Sequence, residues 1–90
     1  MITPHKDVAL VREGNVAAAI AMYQEAIKES PGNIGLLSDL ASAYSDIGRF
    51  EEAIKVTRKA LKMVPSDPRN RDNLELLKQL LKRHREYIDN

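Results

Sequence analysis

Proton transfer or metal binding in this 90-residue sequence would fall to two histidines, His5 and His84, and thirteen carboxylates. No cysteine is present to act as a nucleophile, a thiolate ligand or a disulfide partner. Neither histidine has a second ligand at metal spacing. The nearest set is His84-Arg85-Glu86, and residues two apart point to different sides of a helix. The pair Glu51–Glu52 has the composition of an acid/base couple, but adjacent carboxylates at a helix start are what the macrodipole favours. No nucleophile elbow, Walker loop or dinucleotide glycine pattern occurs. We therefore expect no enzyme, no cofactor and no metal. Cations are the chemistry left over. Lys55, Arg58, Lys59 and Lys62 form a stripe at helical spacing with no acid from 53 to 66, and Lys82, Arg83, His84 and Arg85 form a second cluster. Residues 1–50 carry four basic and six acidic side chains, and residues 51–90 carry ten and seven. The formal charge of +1 nearly cancels, which argues against nucleic acid held by bulk charge; a stripe of this kind is ordinarily a solvated face.

These side chains must be carried by helices. Apolar residues reach 43% while aromatics are only 4%, so the core has to be built from Ala, Leu, Ile and Val. The longest apolar run, Val16 to Tyr23, is eight residues, far short of the ~20 that span a bilayer. The first residues, Met-Ile-Thr-Pro-His-Lys, contain no segment resembling a secretion signal, so a cytoplasmic chain without a membrane span is expected. Val16, Ala19, Ile20, Tyr23, Ala26 and Ile27 follow the three-four spacing of one helical face, as do Phe50, Ala53, Ile54, Ala60, Leu61 and Val64. Ile34, Leu37, Leu40, Ala41, Tyr44 and Ile47 form a stripe between them. Gly14 and Gly48 can take the left-handed conformation that closes a helix, and Pro31 and Pro65 cannot continue one. Asn33 and Asp67 are candidate N-caps, and Pro68 follows where its missing N–H costs nothing. The expectation is five helices, over 4–13, 16–29, 34–47, 50–63 and 68–88.

A shift of 34 residues overlays Ala9 on Ala43, Gly14 on Gly48, Ala19 on Ala53, Ile20 on Ile54, Ala26 on Ala60 and Pro31 on Pro65. The stretch Leu37-Ser-Asp-Leu40-Ala41-Ser-Ala-Tyr44, followed by Gly48-Arg-Phe50-Glu-Glu-Ala53-Ile54, Ala60 and Pro65, closely resembles the tetratricopeptide repeat. In that motif Ala41, Ala53 and Ala60 stand where two helices approach, and Tyr44 fills the gap. The first copy matches through Ala19, Tyr23, Ala26 and Pro31, but Thr3, Lys6 and Asp7 stand where the second copy has Leu37, Leu40 and Ala41. The late large residue of the second helix is Tyr23 in copy one and Thr57 in copy two. The resemblance implies an all-α fold, a right-handed α-solenoid of antiparallel helix pairs. Residues 1–33 would be a first repeat with a degenerate first helix, 34–67 a second repeat, and 68–90 a solvating C-terminal helix.

The last helix overlays on the first helix of repeat two. Leu74 takes the place of Leu40, while Arg71, Glu75 and Lys78 replace Leu37, Ala41 and Tyr44, as a wet outer face requires. Leu77 and Leu81 extend the face that packs backward. Leu76, Leu80 and Tyr87 add an apolar strip beside Leu74, Leu77, Leu81 and Ile88 that closing the array does not need.

The resemblance also implies a protein-interaction scaffold whose first helices line a concave face. The columns facing it read His5, Asp39 and Asn73, then Val8, Ser42 and Leu76, then Val11, Ser45 and Gln79, while Leu80 stacks on Asp46 and Arg12. Some members clamp a carboxylate terminus with lysine, asparagine and arginine. Only Arg69 supplies such a cation here, and Asp39 and Asp46 would repel a carboxylate. A ligand with a basic group for Asp39 and Asp46 and an apolar anchor for Leu76 and Leu80 fits better. Two other readings stand beside it: a homodimer through the surplus leucine strip, and weak binding of nucleic acid or an anionic surface through the stripe 55–62. Two repeats and a cap are fewer than stacked arrays usually need, so the chain reads as a fragment, or half of an assembly.

Overall fold

A computed structural model describes residues 5–89, with side chains from 13 to 88. Four α-helices follow one another: α1 (His5–Glu29), α2 (Ile34–Asp46), α3 (Phe50–Met63) and α4 (Pro68–Asp89). No strand occurs among the described residues.

The caps are where local chemistry asks for them. Asn33 has extended backbone (φ −83, ψ 97), and its side-chain oxygen accepts the Leu36 N–H at 3.2 Å. Asp67 does the same for α4, accepting the Asn70 N–H at 2.9 Å, with Pro68 at the first helical position. Between α2 and α3 the chain reverses on Gly48, the one described residue with positive φ (+78). The Gly48 N–H donates to the Ser45 carbonyl and the Arg49 N–H to the Tyr44 carbonyl, satisfying the last acceptors of α2.

The expected five helices are therefore four, because Gly14 does not close a helix. α1 runs through it unbroken for 25 residues. The reason lies in what a reversal at Gly14 would bury. In the second copy the turn at Gly48 brings Ala41 and Leu40 of α2 to apolar side chains of neighbouring helices. The first copy has Lys6 and Asp7 in the corresponding places, so folding back would remove less apolar surface from water than the turn at Gly48 does. Extending the helix instead adds a hydrogen bond for each residue fixed. Equivalent substitutions at the two glycines should thus have opposite signs. Gly14→Ala should stabilise the protein by about 0.5–1 kcal/mol, since a helix interior no longer carries glycine's entropy. Its added methyl meets nothing within 4 Å. Gly48→Ala should cost about 1–2 kcal/mol, since its φ lies in the left-handed region. Urea unfolding midpoints check the pair; a loss at position 14 matching that at 48 would mean both glycines close turns.

The core has two lobes joined by shared side chains. One gathers Ala41, Ala53, Ile54 and Leu77, flanked by Phe50, Leu74 and Leu81; the other gathers Ile20, Leu40 and Ala43, flanked by Val16, Tyr23, Ile27 and Ile47. Tyr44 and Val56 pack against both. Ala53 and Ala60 are fully buried, and a methyl at these points lets helix axes come within the ~8 Å lower end of ordinary packing. Tyr44 is also tied outward: Gln24 donates to its hydroxyl at 3.1 Å, and the Arg49 guanidinium lies 5.8 Å from its ring centre. A polar pin completes the join of α2 to α4. The buried Ser38 hydroxyl lies 3.0 Å from both the Ile34 carbonyl and Asn70 Oδ1, so its single proton is shared. The radius of gyration is 14.8 Å, against about 12 Å for a compact domain of this length, and the thinnest extent of 18 Å is two helix layers.

Candidate partner-binding face

α2 lies between α1 and α4, and a shallow cavity opens on each side of it. The one toward α4, of about 120 Å³, brings together Ser42, Ser45, Asp46, Asn73 and Leu76. The one toward α1, of about 180 Å³, is lined by Val16, Ala19, Tyr23, Asp39, Ser42 and Asp46. Ser42 and Asp46 belong to both, so six of the residues expected on a concave face share one continuous surface. Leu80 is half-buried and lines neither cavity. Val8 and Arg12 lie outside the residues whose side chains are described. Because α1 is continuous, the backbone of 5–12 runs on along the helix axis rather than folding back toward α2, so the expected columns lose their first row.

The two acids are not equivalent. Asp39 Oδ1 lies 3.9 Å from Arg69 Nη2, with both side chains about half exposed, a long pair in high dielectric that stabilises little. Arg69, the one cation at a clamp position, is thereby directed at an acid of its own chain. Asp46 forms no ion pair among the described residues, and it ends α2. An acid at a helix C-terminus faces the negative end of the macrodipole, so Asp46 weakens its own helix while presenting charge outward. Leu76 stands beside it, 53% exposed, whereas the adjacent Leu77 is buried at 5%.

The residues considered for catalysis are in other employment. Glu52 pairs with Arg49 at 2.6 Å and Glu51 with Arg85 at 2.8 Å. His84 packs edge-on against Phe50, centroids 5.7 Å apart and planes at 71°. No group of three His, Cys, Asp or Glu side chains among the described residues could hold a metal ion. Among those residues, too, no helix is long and apolar enough to cross a membrane.

Antiparallel pairing of α2 with α3, the αL turn at Gly48 and buried alanines at the helix crossings describe one kind of repeat. The tetratricopeptide repeat profile matches residues 10–72. The chain belongs to the tetratricopeptide repeat family. Tetratricopeptide repeats generally mediate protein–protein interaction and typically act as non-catalytic modules. Among proteins similar to this one, the TPR repeat-containing thioredoxin TTL4 of Arabidopsis thaliana is 40% identical over 68 residues, which cover 76% of this chain. The inactive TPR repeat-containing thioredoxin TTL3 of the same plant is 34% identical over 68 residues, again 76% of this chain. The matched residues span about 10% of the length of each relative.

Two features of this tetratricopeptide chain escaped sequence reasoning. Asn70 sits in the first turn of α4 and is 1% exposed. Its only sequence signal is the overlay on Leu36, a column that gives no hint of a polar partner. The second is that the stripe on α3 and the cations of α4 share one valley.

Proposed function

We propose that this chain is a non-catalytic tetratricopeptide scaffold that holds a segment of another protein across α2, between α1 and α4. Within this reading residues 34–67 form the complete repeat of a right-handed solenoid, 1–33 a degenerate one, and 68–90 the closing helix. The observation that carries it is the pair of cavities sharing Ser42 and Asp46, where Asp46, without an ion pair among the described residues, and the exposed Leu76 line the same cavity. Such a surface suits a lysine or arginine at Asp46 next to an apolar anchor at Leu76.

Asp46→Lys and Leu76→Glu test it. Each should weaken partner capture by about tenfold or more, since both replace an anchor contact by repulsion or by a charge against an apolar group. Neither should unfold the domain. Asp46→Lys turns an unfavourable helix-end charge into a favourable one, worth about 0.3–1 kcal/mol of stability. Quantitative mass spectrometry of proteins retained from lysate is the readout, with thermal melts alongside. Unchanged capture by both variants would remove the reading.

The exposure of Leu76, Tyr87 and Ile88 on α4 favours a second one, self-association through that helix. Sedimentation separates the two: a strict monomer at high micromolar concentration excludes the homodimer, and a dimer abolished by Leu76→Glu supports it.

A further inference from the structure

We infer that the valley between α3 and α4 is a second docking surface and that it takes an acidic amphipathic helix of a partner protein. It shares no residue with the cavities beside α2 and is far larger, at about 1180 Å³. Ile54 and Leu81 form its floor. One wall carries Lys55, Arg58, Lys59 and Lys62 of α3; the other carries Lys78, Lys82 and Arg85 of α4. Only Glu51 and Glu86 contribute negative charge along it, and Glu51 is taken by Arg85 at 2.8 Å, which ties the two walls together at one end. Lys78 leans on Glu75 of its own helix at 3.4 Å. The other five cations form no ion pair among the described residues.

Cations on both rims above an aliphatic floor specify the occupant's cross-section: an apolar ridge with carboxylates on each flank. An α-helix with apolar residues every third and fourth position and Glu or Asp beside them has that section. A valley between two antiparallel helices is also a seat that a third helix fills by ridge-into-groove packing. From Glu51 to Lys62 the α3 wall runs about 16 Å, room for three turns. Nucleic acid fits less well. The lining has no aromatic ring on which a base could stack, and phosphates alone would leave the apolar floor uncovered. Exposed ion pairs contribute little one at a time, so the ridge on the floor must supply much of the affinity.

The test uses a fluorescein-labelled helical peptide of about 16 residues, its leucines on one face and glutamates on both flanks, followed by anisotropy. The comparison peptide has the same composition with leucines dispersed around the helix. The patterned peptide should bind at least about fivefold more tightly than the dispersed one, and should weaken as salt rises from about 50 to about 300 mM. The double variant Lys55→Glu, Lys82→Glu, one exposed residue from each wall, should lose about tenfold while keeping its melting curve. Asp46→Lys should leave peptide binding unchanged, which keeps this result separate from the face beside α2. Equal binding of the two peptides, absence of binding, or a thymidine oligonucleotide of equal charge binding as tightly as the patterned peptide would each overturn the proposal. So would a self-association of the protein that the peptide displaces.

Discussion

Replacing Leu77 by alanine should destabilise the protein by roughly 2–5 kcal/mol, while the same change at its neighbour Leu76 should stay within about 0.5 kcal/mol. Leu77, 5% exposed, is the one hydrophobic side chain of α4 among the described residues that is buried, and it packs with Ala41, Ala53 and Ile54. Those neighbours include two alanines whose methyls have no reach with which to refill the gap, so the cost falls toward the upper part of the range. A chain of 90 residues has only about 5–13 kcal/mol in total at ordinary stability per residue, so this one cavity removes a large share. The effect should extend to binding. α4 supplies Asn73 and Leu76 to the cavity beside α2, and the second cationic wall to the valley beside α3. Leu77→Ala should therefore weaken ligands on both surfaces, although Leu77 lines only the cavity toward α4 and not the valley. Chemical denaturation of both leucine variants, with the peptide titration repeated on each, is the check. Equal losses at 76 and 77 would mean that α4 is rotated from the orientation described.

Asn70→Asp should cost about 3–5 kcal/mol, the scale of a buried charge left without compensation. Asn70 Nδ2 donates to Asp67 Oδ2 at 2.9 Å, and Oδ1 receives the Ser38 hydroxyl at 3.0 Å. A carboxylate in its place keeps the contact to Ser38 but turns the contact to Asp67 from a donated hydrogen bond into two like charges at hydrogen-bond distance. Asn70→Ala is the control. It leaves Ser38 with the Ile34 carbonyl and Asp67 with the Asn70 backbone N–H, so its loss should be smaller, about 1–3 kcal/mol. A fluorescence or circular dichroism melt ranks the two; an aspartate as well tolerated as alanine would mean that this position is wet.

Much of the framework was legible residue by residue. Asn33 and Asp67 cap because an oxygen on a short side chain reaches an N–H three residues on, a fact of local geometry. The pairing of α2 with α3 followed from Gly48 and from two apolar stripes of matching period. The closing face of α4 was legible in Leu74, Leu77 and Leu81. The faces beside α2 were legible in part: Asp39, Ser42, Ser45, Asp46, Asn73 and Leu76 do meet, whereas Leu80 tucks away from them. Asp39 and Asp46 read as equivalent in sequence, and only the approach of Arg69 distinguishes them.

Sequence alone therefore determined the family, the caps, the complete helix pair and the composition of each face, because these depend on spacings within a few turns of helix. Three things were decided by tertiary structure. α1 is one helix because the choice at Gly14 turns on what a fold-back would bury, a comparison between distant surfaces that no local glycine signal encodes. Asn70 is buried because α2 brings Ser38 to it from 32 positions away. The cations of 55–62 and 78–85 become two walls of one valley because α3 and α4 run antiparallel over a shared apolar floor. In each case the deciding energy is between groups far apart in the chain, and only packing sets their distance.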